Sequence, residues 1–204
     1  MNAKSAPMDA TSPSQNVVLI ANRILAGLAT RDALLVCGLT AHRGVGPLAL
    51  AVMRAAAALS GRGVIVAEAQ AGHPAATVAA AGAPGFTDLM AGDAFAPSML
   101  HALPGHTAVR YLGIGTRPAL AGPGALMSGA AAARAVAALR AEADLVCCIA
   151  APLARSVATA GLARHLGAGV LCLHRGLDRR DDIARAVGDL AASGTRLIGT
   201  LLLR

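Results

Sequence analysis

Lysine is nearly missing from this chain: Lys4 is the one example, so arginine carries almost all of the positive charge. Aromatic residues make up 1%, with no tryptophan and only Tyr111, Phe86 and Phe95. Single-stranded nucleic acid is held on stacked aromatic platforms, and a chain this poor in them is not expected to bind it. The core has to come from Leu, Val, Ile and Ala, which lift the apolar share to 55%. Cysteine is sparse, and Cys37, Cys147, Cys148 and Cys172 each lie in an apolar run without metal-ligand spacing. They read as small core residues of a reducing compartment. The histidines are scattered as well; His101 and His106 flank Pro104-Gly105, which suggests loop positions. Long apolar runs are absent, because Gly, Pro, Arg54, Arg134 or Arg155 interrupts each one before it could cross a bilayer. Residues 1–15 are polar, hold Pro7, Asp9 and Pro13, and lack the apolar centre of a leader. A cytoplasmic chain is expected, with 1–15 as a disordered tail. The net charge of +7 favours an acidic partner or an anionic surface, although arginine-for-lysine usage in a GC-rich genome is the simplest source.

What is present is a regular alternation of strand and helix. At 204 residues the chain fits one ordinary domain, placed here at 16–204. Helical spacing marks residues 16–29, with Arg23 on the polar side. Strands are expected at Ala33–Cys37, Val64–Ala67, Ala108–Ile114, Leu145–Ile149, Val170–His174 and Arg196–Leu203. Helices are expected at Pro47–Leu59, within Gly85–Asp93, and at about Ala125–Ala141, Arg155–Leu166 and Arg180–Ala192. Gln70–Pro84 and Arg117–Pro123 read as connections. The strands are continuous apolar runs, which predicts an α/β fold with a mostly parallel sheet and helices on both faces.

The stretch around which the rest is organised is ALLVCGLTAHRGVGPLALAVMRAAAALS, residues 33–60. A strand feeds a glycine-bearing turn that opens a helix, the arrangement by which backbone N–H groups hold a phosphate. Candidate binding residues are Thr40, Arg43, Gly44 and Gly46, with Glu68 at the end of the next strand. Gly44 and Gly46 serve either as an anion nest or as a turn that needs positive φ. Pro47 suits a first helical position but removes one N–H. The cation that should precede the helix is Pro47, and the hydroxyl that would hold magnesium is Leu48. GVGPLA (44–49) also fits the G-x-G-x-x-[GA] dinucleotide fingerprint with Glu68 beyond it, so an NAD-binding oxidoreductase stands as an alternative.

Several segments together resemble the bacterial tyrosine kinases of polysaccharide export, within the deviant-Walker group of MinD/ParA-like P-loop proteins. TAHRGVGPLALAVM (40–53) is similar to the family's S-P-x-P-G-E-G-K-[ST]-T-x-A-x-N loop, and VIVAEAQAGHP (64–74) to V-L-L-I-D-x-D-x-R-x-P. APGFTDLMAGD (83–93) resembles P-G-L-S-D-x-L-x-G, YLGIGTRPALAGPGALMSG (111–129) a strand–Gly–Pro-rich–L-L-x-S passage, and DLVCCIAAP (144–152) D-L-V-I-I-D-x-P-P. SGTRLIGTLL (193–202) resembles the family's closing strand. The resemblance implies a P-loop NTPase-like sheet. The departures are consistent: Pro47 for the loop lysine, Leu48 for its Ser/Thr, Glu68 and Gln70 for two aspartates, and Ile149 for the Walker B aspartate. A degenerate Walker A loop with no catalytic residue and no cofactor, ATP and magnesium included, is therefore expected. The resemblance implies a pseudokinase acting as a non-hydrolysing adaptor in exopolysaccharide or capsule biosynthesis and export. It also implies a membrane-embedded chain-length regulator (co-polymerase) or related kinase as partner, which would hold the chain at the inner membrane. A nucleotide-binding switch of the MinD/ParA type is the other reading of the same loop.

Overall fold

Runs such as Leu145–Ala150, buried at every position, belong in the middle of a sheet covered on both faces. The computed structural model of the chain describes residues 13–28, 32–41, 43–69, 82–117 and 129–203. Its sheet is built from β1 (Asp32–Gly38), β2 (Val64–Glu68), β3 (Leu100–Leu103), β4 (His106–Leu112), β5 (Leu145–Ala150), β6 (Gly167–His174) and β7 (Arg196–Leu203). The order is β3-β4-β2-β5-β1-β6-β7. Every neighbouring pair is parallel except β3–β4. The expected architecture is the observed one.

Two cores follow from the alternation of side chains along these strands. On one face, β-strand residues Leu34, Val36, Val66, Tyr111, Cys147 and Ile149 pack under α1 (Gln15–Gly27) and α2 (Val45–Ser60). On the other, Leu35, Ile65, Val146 and Cys148 meet α3 (Phe86–Met90), α4 (Ala130–Glu142), α5 (Val157–Leu166) and α6 (Arg180–Ala192). The alanines of α2 (Ala49, Ala55, Ala56, Ala57) are buried, so small side chains let this helix lie close against its neighbours. Gly61, at φ 67°, ends α2 in the left-handed conformation that glycine adopts without strain.

Several boundaries differ from the sequence reading. His101 and His106 are not in a loop: they belong to β3 and β4, a hairpin turning at Pro104-Gly105 with Gly105 at φ 74°. A four-residue edge strand with half-buried positions has too little apolar signal to be read from sequence. The helix expected at 16–29 ends at Gly27, and Gln15 is already helical behind Ser14, whose hydroxyl accepts from Val17 N. A 3₁₀ turn at Leu153–Arg155 precedes α5, which starts at Val157 rather than Arg155. The tail at 1–12, most of the 70–84 connection, and 118–128 with the expected start of a helix at Ala125, lie outside the described residues.

All four cysteines are free and buried. Burial pushes the thiols of Cys37, Cys148 and Cys172 up to about 12, and that of Cys147 well above its ordinary value. The thiolate is the reactive form, so alkylation of the folded protein at pH 8 should be slow at all four. Addition of guanidinium should release four equivalents together; fast labelling without denaturant would contradict this packing.

Candidate functional site

The phosphate-loop candidate begins where β1 ends. Leu39 N donates to Cys172 O at 2.9 Å, and Ala154 N donates to Leu39 O at 3.1 Å. Gly38 has to be glycine, because a Cβ there would lie 2.5 Å from Thr40 O. The Thr40 hydroxyl donates to Asp178 Oδ1 at 2.8 Å, and the other oxygen of that carboxylate accepts His174 N at 2.5 Å. The loop is thus pinned to the turn that follows β6, a contact between residues far apart in sequence. Arg43 is exposed.

Helix α2 opens at Val45, earlier than the expected Pro47. Gly44 caps it at φ −78° and ψ −13°, and Leu48 N closes the first turn on Gly44 O at 3.0 Å. Neither Gly44 nor Gly46 is among the glycines with positive φ, so the turn does not need glycine for that reason. Pro47 is the third helical residue, within the first turn where its missing N–H breaks no bond. The N–H groups of Val45 and Gly46 lie in the first turn, where the helix itself supplies no acceptor, and such an end can receive an anion.

Glu68 ends β2 directly across from Ile149 of β5, while Val36 of β1 pairs with Ile149 from the other side. The three strand ends therefore stand side by side, and Ile149 packs on the α2 side of the sheet. Glu68 is 1% exposed, and the Tyr111 hydroxyl donates to its Oε2 at 2.6 Å. A buried carboxylate needs such donors. Tyr111→Phe, which removes this one, should destabilise the fold by about 1–3 kcal/mol in urea titration.

The structure puts Thr40, Arg43 and Gly44 on one loop, Gly46 in the first turn of the helix it opens, and Glu68 two strands away at the same rim. Sequence reasoning missed Tyr111 and Asp178. Tyr111 read only as a strand residue, although it is the sole tyrosine and falls on the same face as Glu68. Asp178 gave no local signal. Among the described residues no group of three His, Cys, Asp or Glu could ligate a metal.

The strand order bears on the dinucleotide alternative. In that fold the fingerprint strand lies next to the second strand; here β5 stands between β1 and β2. No family model and no curated protein matches the chain. Solved structures do. A crystal structure of the chimerical protein CapA2B2 superposes with TM-score 0.79 at 15% identity, covering 96% of this chain and 86% of that one. The kinase domain of the Escherichia coli tyrosine kinase ETK gives TM-score 0.77 at 18% identity, over 99% and 81% of the two chains. The chain has the fold of the bacterial tyrosine kinase domains. Cobyrinic acid a,c-diamide synthase from Mycobacterium smegmatis, with bound ATP analog and magnesium, gives TM-score 0.62 at 19% identity over 84% and 72%. That P-loop relative corrects the expectation of no cofactor. A fold shared with a protein seen with ATP analog and magnesium points to nucleotide and magnesium, and loss of the loop lysine at Pro47 does not by itself remove the backbone donors of α2. No helix among the described residues is long and apolar enough to cross a membrane.

Proposed function

We propose that residues 16–204 form a nucleotide-binding domain of the bacterial tyrosine kinase type that binds nucleotide without turning it over. It would act as an adaptor or regulator in exopolysaccharide or capsule biosynthesis and export. The polyphosphate lies at the N–H groups of Val45 and Gly46, with Thr40 and Arg43 beside it and Glu68 at the neighbouring strand end. Magnesium arriving with the nucleotide supplies charge neutralisation at the phosphates. The observation that carries the loss of catalysis is Ile149: the β5 position beside the loop is an aliphatic side chain with 0% exposure. It can neither ligate a metal ion nor orient a water. Glu68, the nearest acid on the rim, is buried and accepts from Tyr111, so its carboxylate is already engaged as a structural acceptor.

Titration calorimetry with ATP–magnesium, paired with a phosphate-release assay, tests this reading. Saturable binding with phosphate release at the rate of buffer alone is the expected result. Steady turnover that disappears in Gly46→Trp would overturn the non-hydrolysing part, and no heat at millimolar ATP would overturn the nucleotide part. The partner we propose is a membrane-embedded chain-length regulator or a related kinase, which would place the chain at the inner face of the membrane. A second use of the same site is as a switch whose oligomeric state follows the nucleotide. Light scattering with and without ATP separates the switch from the adaptor.

A further inference from the structure

The rim next to the loop adds positive charge to the single arginine, Arg43, that the described part of the loop carries. β6 ends at His174, and the following turn closes with Leu177 N and Asp178 N both on His174 O at 3.2 Å. The two oxygens of Asp178 are taken by His174 N and by the Thr40 hydroxyl, so this turn is fastened to the phosphate loop. The turn and the start of α6 hold Arg175, Arg179 and Arg180, all exposed and none in an ion pair among the described residues. Arg185, one turn further along α6, is spoken for by Asp182 at 3.3 Å. Asp181 and Asp182 stand in the first turn of α6, where the helix dipole favours acids. Three uncompensated guanidinium groups thus lie within a few residues of the atom that anchors Thr40. Their planar forks match phosphate oxygens in a way that a solvated ammonium does not.

We propose that Arg175, Arg179 and Arg180 are the polyphosphate-binding cations of this site, held beside the loop by the Thr40–Asp178 hydrogen bond, and that they replace the lysine absent at position 47. The ligand class is a nucleoside di- or triphosphate, and the proposal rests on the nucleotide reading above. The cation comes from the strand on the far side of β1 from β5 and β2, so losing the loop lysine leaves affinity and removes only the charge at the scissile phosphate.

The test is calorimetry of the full chain with ATP–magnesium, ADP, AMP and adenosine, at low and moderate salt. Wild type is compared with the triple variant Arg175→Gln, Arg179→Gln, Arg180→Gln, with Thr40→Val, and with Arg164→Gln on the exposed face of α5 as control. The triple variant should bind ATP and ADP roughly 10- to 100-fold more weakly, with a shallower salt dependence, and adenosine as wild type does. Thr40→Val should move ATP affinity the same way by a smaller factor, and the Arg164→Gln control should not move it. Unchanged melting temperatures would show that the variants are folded. Equal ATP affinity in wild type and triple variant overturns this inference and leaves nucleotide binding standing, and so does a loss shared equally by ATP and adenosine. A wild-type chain that takes up no ATP overturns the nucleotide reading itself, and this inference with it.

Discussion

Asp88→Ala is expected to cost the fold about 3–5 kcal/mol, more than any other single truncation outside the apolar cores. The side chain is 2% exposed and accepts from Gly85 N at 2.8 Å, Thr116 N at 2.9 Å and the Thr116 hydroxyl. It therefore joins the start of α3 to the segment leaving β4, and its loss would strip the buried Gly85 N–H of its acceptor and untie both Thr116 donors. Arg117 Nε lies 3.8 Å away on a half-exposed side chain, so this ion pair adds little. The neighbourhood has no slack: Gly115 sits at φ 104°, and a Cβ there would overlap Asp88 Oδ2. Burial alone would raise the Asp88 carboxyl, but the bonds from Thr116 and Gly85, with Arg117 nearby, hold it below its ordinary value. A depressed folded-state value means that its stabilisation is complete above the ordinary carboxylate range and is lost as pH falls through the folded value. Thermal melts should place Asp88→Ala roughly 10 °C below wild type at neutral pH, with the gap narrowing below about pH 4 as the wild-type carboxyl takes up its proton. A gap that is constant with pH would mean that packing, and not the charged acceptor, is what the substitution removes.

The parts of this molecule that sequence exposes are those in which one residue's surroundings are set by the run it lies in. Leu145–Ala150 is buried on both faces, and the uninterrupted apolar string says so directly. The glycine turn after β1 is legible for a similar reason, since a strand, a loop with two glycines and an alanine-rich helix follow one another without a gap. β3 was not legible, because four residues at a sheet edge carry neither a run nor a clear alternation. The start of α2 was misplaced because proline is tolerated anywhere in the first turn, so Pro47 limits the boundary without fixing it. The site's polar connections were invisible for a different reason. Thr40 finds its acceptor on Asp178, and Glu68 its donor on Tyr111, across the sheet rather than along the chain. Only the strand order, with β6 beside β1 and β4 beside β2, brings those partners within reach.

The largest functional effect is expected from rebuilding what the loop lacks. The triple variant Pro47→Lys, Leu48→Thr, Ile149→Asp should raise phosphate release from ATP–magnesium by roughly 10²–10³-fold, the scale attached to one well-placed electrostatic group in an active site. The lysine places a fixed charge at the phosphates, the threonine hydroxyl offers a ligand to magnesium, and the aspartate stands at the β5 end beside them. No single replacement should achieve this, since groups acting on one reacting centre are strongly non-additive. Ile149→Asp alone puts an unpaired carboxylate into a fully buried position, and should lower stability by about 3–5 kcal/mol. Part of that loss should return when ATP–magnesium is added, because a ligand bound only by the folded state stabilises it. The pairing of a melt rescued by nucleotide with a gain in phosphate release is what separates a repaired site from a damaged fold. A triple variant that binds ATP, melts normally and still releases no phosphate would place the defect elsewhere than in these three residues. Glu68 would then be next, as the nearest acid on the rim, whose carboxylate already accepts from Tyr111.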